Sequence, residues 1–206
     1  MHNYCAFMEN DEGVGLPAPR QVRLDQRQLR VLAHPLRLRL LGALRADGPA
    51  TATGLAERLD TNTGATSYHL RQLAEVGLVV EAHDLAVGRQ RWWRAAHDIS
   101  SWEPSDFDDD PDARAAAEWI QAEQVRLVVE HSDRWFAAQQ DFPAAWRNAA
   151  GMSDALLHLG PERLQAMEAE VWEVLMRYRA ESTPDEADAR PVQVFLAAYP
   201  MIEPTR

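Results

Sequence analysis

Lysine is absent from this 206-residue chain, whose 21 basic residues are all arginine. That usage reads as genome composition and carries no mechanism. Cysteine is nearly absent as well: Cys5 stands alone, which excludes an intramolecular disulfide and a thiolate cluster within one chain. No apolar run approaches the ~18 residues of a membrane span. The N-terminus lacks the basic-then-apolar order of a signal peptide. A cytoplasmic protein without membrane contact is therefore expected. There is no phosphate-binding glycine loop, no Gly-x-Ser-x-Gly elbow and no nucleophile visibly paired with a base. No catalytic residue and no cofactor are expected, and the chain does not read as an enzyme.

Charge is plentiful but unevenly spread. The net charge of -11 argues against nucleic acid when taken whole. Residues 20–98, however, carry 12 arginines against 8 acids, whereas residues 99–206 carry 9 arginines against 21 acids. A basic module joined to an acidic one is the asymmetry of a DNA reader with a regulatory partner. The pattern divides the chain into a mobile arm over 1–19, a DNA-binding module over 20–98, an acidic linker over 99–111, and a dimerisation or regulatory domain over 112–206.

Within the basic module, Asp25 can cap a first helix reaching Ala33, and Pro35 suits the first turn of a second helix running to about Arg45. Asp47-Gly48-Pro49 stops that helix. Thr51 or Thr53 can cap a third, marked by Leu55, Ala56 and Leu59. After a polar turn at Asp60 to Asn62, Asn62 or Thr63 can cap a fourth, with Thr66, Leu70 and Leu73 facing inward. Gly77 ends it, Leu78-Val79-Val80 reads as a strand, and Gly88 to Arg94 reads as its return strand. Two helices joined by a tight turn and followed by a basic hairpin make a winged helix-turn-helix. The outer face of the fourth helix offers Thr63, Gly64, Ala65, Ser67, Tyr68 and Arg71 to base edges or phosphates, and the hairpin offers Arg89 and Arg91 to phosphate or a narrow minor groove. His69, beside Leu70, is expected to pack against the earlier helices, and one of Trp92 and Trp93 is expected in the core.

The ordered set of Val31 to Arg37, Ala65 to Leu73, Glu75 to Val79 and Gly88 to Trp92 resembles the arsenic-repressor (ArsR-type) winged-helix regulators of bacteria. The resemblance spans residues 29–95, about a third of the chain. It implies a homodimer that binds double-stranded DNA and represses transcription. The cysteine pair of the family's thiolate sensors is missing from Thr53 to Leu59, and no other paired ligand spacing replaces it, so no metal site is expected.

Beyond the linker, a long helix should open at Pro111 and run to about Gln140, with Ala113, Ala117, Ile120, Leu127 and Trp135 at helical spacing. Another should follow Gly160 and reach about Arg179, with Leu164, Met167, Val171, Val174, Leu175 and Tyr178 inward. Ala155 to Leu159 and Pro191 to Ala197 carry strand-like patterns, enough for a small two-stranded sheet. Trp119, Gln124, His131, Trp135 and Trp172 read either as core and dimer interface or as the lining of a pocket for a small organic effector. The fold class expected is thus mostly α (α+β): an N-terminal winged helix-turn-helix with a two-stranded wing, plus a mainly helical C-terminal domain. The rival from another class is a winged-helix protein–protein interaction module that binds no specific DNA.

Overall fold

The computed structural model describes residues 19–85, 90–183 and 186–202. The arm expected over 1–19, apart from Pro19, lies outside them, as do Cys5, Gly88 and Arg89. Pro19–Asn148 form one compact unit, and the described residues from Ala149 onward belong to another.

The first unit begins with a short strand, β1 (Gln21–Arg23), and helix α1 (Gln26–Leu32). Asp25 caps α1 in a reciprocal capping box: its carboxylate accepts from the Gln28 N–H, and the Gln28 side chain accepts from the Asp25 N–H. Helix α2 (Pro35–Ala46) has Pro35 in its first turn, where the missing N–H costs nothing, and His34 as its cap. Gly48 follows with φ +81°, the left-handed conformation that ends a helix cheaply only at glycine. A two-residue strand, β2 (Ala50–Thr51), leads into α3 (Ala52–Arg58), capped by the Thr51 hydroxyl. Asp60, at φ 50°, turns the chain, and Asn62 caps α4 (Thr63–Glu75) by accepting from the Ala65 N–H at 2.8 Å.

Gly77, at φ +73°, ends α4 and admits β3 (Val79–Glu81), which pairs antiparallel with β4 (Trp92–Ala95). β2 joins the other edge of β4, placing Ala50 opposite Trp93. The wing sheet is therefore three-stranded, in the order β2-β4-β3, rather than a two-stranded hairpin alone. Trp93 is the core tryptophan, while Trp92 is half-buried on the opposite face.

The segment expected to be a solvated linker is part of the packed unit. β5 (Ile99–Ser101) pairs parallel with β1, Val22 opposite Ser100, and Phe107 is only 2% exposed. Two of the segment's acids hold arginines of the N-terminal elements: Asp106 pairs with Arg23, and Asp110 with Arg30. Asp110 also caps α5 (Pro111–Ala138), and the Ala113 N–H together with Arg30 holds its carboxyl below the usual carboxylate range. Ala113, Ala116, Ala117 and Ile120 bury the first turns of α5. The boundary thus falls after Asn148, not at 99–111, and α5 belongs with the winged helix. The core runs from Leu24 to Ile120, with Leu29, Leu40, Leu55, Leu70, Leu73 and Leu78 fully buried. Phe142 and Pro143 separate α5 from the short α6 (Ala144–Ala149).

In the second unit, α7 (Pro161–Ala180) forms where the helical spacing placed it, but none of its residues is buried. Leu164, Met167, Val171 and Leu175 are half-buried, whereas Val174 and Tyr178 are exposed. The strands expected at 155–159 and 191–197 do not form. Both segments lack regular structure, and Leu156, Leu157, Val192 and Val194 are exposed. A strand needs a partner for its backbone groups, and an alternating pattern alone does not supply one.

Candidate nucleic-acid interface

Helix α4 is oriented by what it buries. Thr66, Leu70 and Leu73 are at 0% exposure, packed against the surrounding helices, and the Thr66 hydroxyl is tied to the Asn62 carbonyl at 3.1 Å. At 100° per residue, that inward stripe turns Gly64, Ser67, Tyr68 and Arg71 outward, while Thr63, in line with Leu70, is open because it begins the helix. Thr63, Gly64 and Arg71 are exposed and Ser67 is half-buried. Tyr68 is 52% exposed. Ala65 is half-buried and supplies the capped N–H, so it stands at the margin of this face. A Cβ at Gly64 would sit 3.3 Å from the Asn62 carboxamide oxygen, so glycine leaves the cap undisturbed and the backbone open to close approach.

The wing meets α4 across a shallow cleft of about 300 Å³. Thr63, Ser67 and Arg71 form one wall. Gln90, Arg91 and Trp93 form the other, and Thr51, Ala52 and Thr53 at the start of α3 close the end. Of the candidates, Thr63, Ser67, Arg71 and Arg91 therefore share one surface, whereas Gly64, Ala65 and Tyr68 do not line it. Arg89 lies outside them. Thr51, Thr53 and Gln90 join this surface although the sequence singled them out only as a cap, an alternative cap and a strand residue. Their hydroxyl and carboxamide chemistry suits phosphate and base contacts, but only the tertiary packing of α3, α4 and the wing reveals their position.

The two arginines of the cleft are differently held. Arg71 donates its Nε–H to the Ser67 carbonyl one turn back, at 3.1 Å, which directs the guanidinium along the outer face. Arg91 pairs through Nε with the Glu81 carboxylate at 3.0 Å across the wing strands. A phosphate at Arg91 thus competes with an acid already in place. Other arginines near the wing and α3 are also paired, Arg94 with Asp84 and Arg58 with Asp47.

His69 sits between helices, as expected of it. Its ring lies 4.4 Å from that of His34, centroid to centroid, and Tyr68 approaches it edge-on at 5.1 Å.

The effector candidates are dispersed. Trp119 is half-buried against the core, Gln124 is exposed, and Trp135 packs edge-to-face on Phe142 at 5.1 Å. Trp119 and Trp135 are roughly 24 Å apart along α5 at the rise of an α-helix, too far to line one small pocket. His131 is half-buried on the same helix, and Trp172 belongs to α7 in the other unit. Among the described residues, no three His, Cys, Asp or Glu side chains gather as metal ligands. Nor is any helix there long and apolar enough to cross a membrane.

Residues 32–82 match the family described as a helix-turn-helix domain, a span that takes in α2, α3, α4 and β3. No curated protein matches the chain. Among solved structures, the homodimeric winged helix-turn-helix DNA-binding domain of a possible ArsR-family transcriptional regulator from Mycobacterium bovis is 25% identical. The match covers 50% of this chain and 76% of that one, at a TM-score of 0.31. A protein described as a possible transcriptional regulator for arsenical resistance is 31% identical, covering 50% of this chain and 95% of that one, also at a TM-score of 0.31. The winged helix-turn-helix itself is seen directly in the order and pairing of α2 to β4.

Proposed function

We propose that this chain, whose residues 32–82 are a helix-turn-helix domain, is an ArsR-type transcriptional regulator of a bacterium that binds specific double-stranded DNA. The observation that carries the reading is the shared cleft. Thr63, Ser67 and Arg71 of α4 and Gln90 and Arg91 of the wing line one surface, so a duplex could take base contacts from the helix and backbone contacts from the wing together. Thr63, Gly64, Ser67, Tyr68 and Arg71 are the base-reading set, with Ala65 at its edge. Arg91, and Arg89 beside it in sequence, serve phosphate.

The finer reading is a homodimeric repressor. Two copies of α4 would enter successive major grooves about 34 Å apart, so the operator would be an imperfect palindrome. Affinity should be modest in its electrostatic part, because Arg91, Arg94 and Arg58 are already engaged by acids. Release by a small organic effector gains no support from the dispersed positions of Trp119, Gln124, His131 and Trp135 on α5.

The test is fluorescence anisotropy of purified protein on DNA fragments from upstream of its own coding region, with the footprint then mapped. A protected inverted repeat with two protein chains per site supports the homodimeric reading. A single unpaired half-site would overturn it. A protein-binding winged helix would leave every fragment unprotected.

A further inference from the structure

One cluster of titratable groups lies beside the DNA-reading face without belonging to it. His34 caps α2, and its Nδ1 accepts from the Leu36 N–H at 3.1 Å. That ring is therefore unprotonated at Nδ1 and, when neutral, carries its hydrogen on Nε2. His69 comes from the middle of α4 and lies against it, rings tilted by 37°. The Nδ1 of His69 is buried and has no hydrogen-bond partner. Arg37, one turn along α2, is half-buried, with its Nε buried and likewise unpartnered. Tyr68 closes the outer side, its ring at 73° to that of His69.

The cluster holds three basic side chains and no acid. Burial, then the charge of Arg37, holds His34 below the ordinary imidazole range. Burial, then His34 and Arg37, does the same for His69. From α4, Tyr68 acts only on Arg37. The charged residues of the other elements packed on α2 and α4, Arg27 and Arg30 of α1, Glu57 and Arg58 of α3, Glu81 of β3 and Arg94 of β4, do not act on either ring. Protonation would bring an imidazolium against its neighbour and Arg37 with no carboxylate to offset it. It would also abolish the His34 cap, because a protonated Nδ1 cannot accept, and it would add a buried donor at His69.

We propose that His34 and His69 form a proton-operated wedge between α2 and the recognition helix. Mild acid separates the rings, displaces Tyr68 from the reading face, and lowers discrimination between operator and random DNA. This rests on α4 being the recognition helix. The affected property is specificity more than affinity, since added positive charge near DNA favours unspecific binding while a displaced Tyr68 costs base contacts.

The experiment has two arms on the full chain. In the first, ¹³C-labelled histidine and tyrosine rings are followed by NMR from pH 8 to 5 without DNA. The His34 and His69 resonances should titrate below the ordinary imidazole range in two coupled steps, with the Tyr68 ring following. In His34→Asn, which keeps a good N-cap, His69 should titrate in one step at higher pH, and the Tyr68 shift should shrink. Independent titration at ordinary imidazole values, or a Tyr68 ring that ignores the pair, would overturn the proposal. In the second arm, the ratio of operator to random-DNA affinity should fall about tenfold between pH 7.5 and 5.5, the equivalent of one pKa unit. It should fall less than about threefold in His34→Asn, and an equal fall in both proteins would overturn the wedge. Absence of any operator preference at pH 7.5 would overturn the DNA reading instead, leaving the ring titrations to decide whether the wedge exists.

Discussion

Acid should unlatch the first unit through His97, and the size of the effect follows from the burial of that ring. His97 is 4% exposed, and its Nε2 lies 2.9 Å from the Ser100 hydroxyl. Arg45 reaches the same hydroxyl at 2.7 Å and donates its Nε–H to the His97 carbonyl at 3.2 Å, joining the end of α2 to β5. Burial, then Arg45 and Arg20, pushes His97 down to about 4 from its ordinary 6.5, against a smaller opposing pull from Asp98. Burial also lowers Arg45 to about 10, so it remains charged at neutral pH and opposes a second cation beside it. Between these two values of His97 the unfolded chain binds the proton and the folded one does not. Stability is therefore whole above pH 6.5 and falls as the pH drops towards 4. At 1.36 kcal/mol per unit the full loss is about 3 kcal/mol, with about 2 kcal/mol gone by pH 5. Urea unfolding of wild type and His97→Gln, followed by tryptophan fluorescence from pH 7 to 4.5, isolates the term as a difference between proteins. The variant should be less stable at pH 7 and should lose less stability on acidification. Equal pH slopes for the two proteins, with unchanged m-values, would refute the assignment.

Three further outcomes are expected. Arg71→Ala should weaken operator binding by ~1–3 kcal/mol if the guanidinium reads a guanine, and should relax preference at one base position, as a competition assay against single-base operator variants would show. Arg91→Ala should lower affinity on all sequences and reduce the salt slope by about 1, whereas Glu81→Gln, by removing the competing carboxylate, should raise affinity on all sequences; titrations at several salt concentrations check both. Asn62→Ala removes the cap on the Ala65 N–H and should cost about 1 kcal/mol of stability in urea, with a smaller loss for Asn62→Ser or Asn62→Asp.

What could be read in the sequence was what is local. Capping residues, prolines at helix starts and glycines at helix ends sit within a few positions of what they determine, so α1 to α4 and the starts of α5 and α7 are legible residue by residue. The outer face of α4 at Gly64, Ser67, Tyr68 and Arg71 was equally so, because the buried Thr66, Leu70 and Leu73 define its opposite. Pairings across long separations were not. β1 and β5 are three residues each and lie 78 positions apart, so neither segment carries a pattern of its own. Phe107, among Glu103, Asp106, Asp108, Asp109 and Asp110, was hidden by a charge run that reads as solvent-facing, yet Asp106 and Asp110 are held by arginines. In the other direction, 155–159 and 191–197 have the composition of strands without a neighbouring strand to bond. At the wing, the strand pattern exposes Arg91 but not its engagement by Glu81, which depends on the register of β3 against β4.

Specific DNA recognition is tested by equilibrium binding of the purified protein to its upstream DNA at two salt concentrations, with unlabelled random DNA as competitor. Tight, competitor-resistant binding to one palindromic fragment is expected, weakened by higher salt and by Arg71→Ala. Binding that competitor abolishes, or none at low salt, would contradict specific recognition.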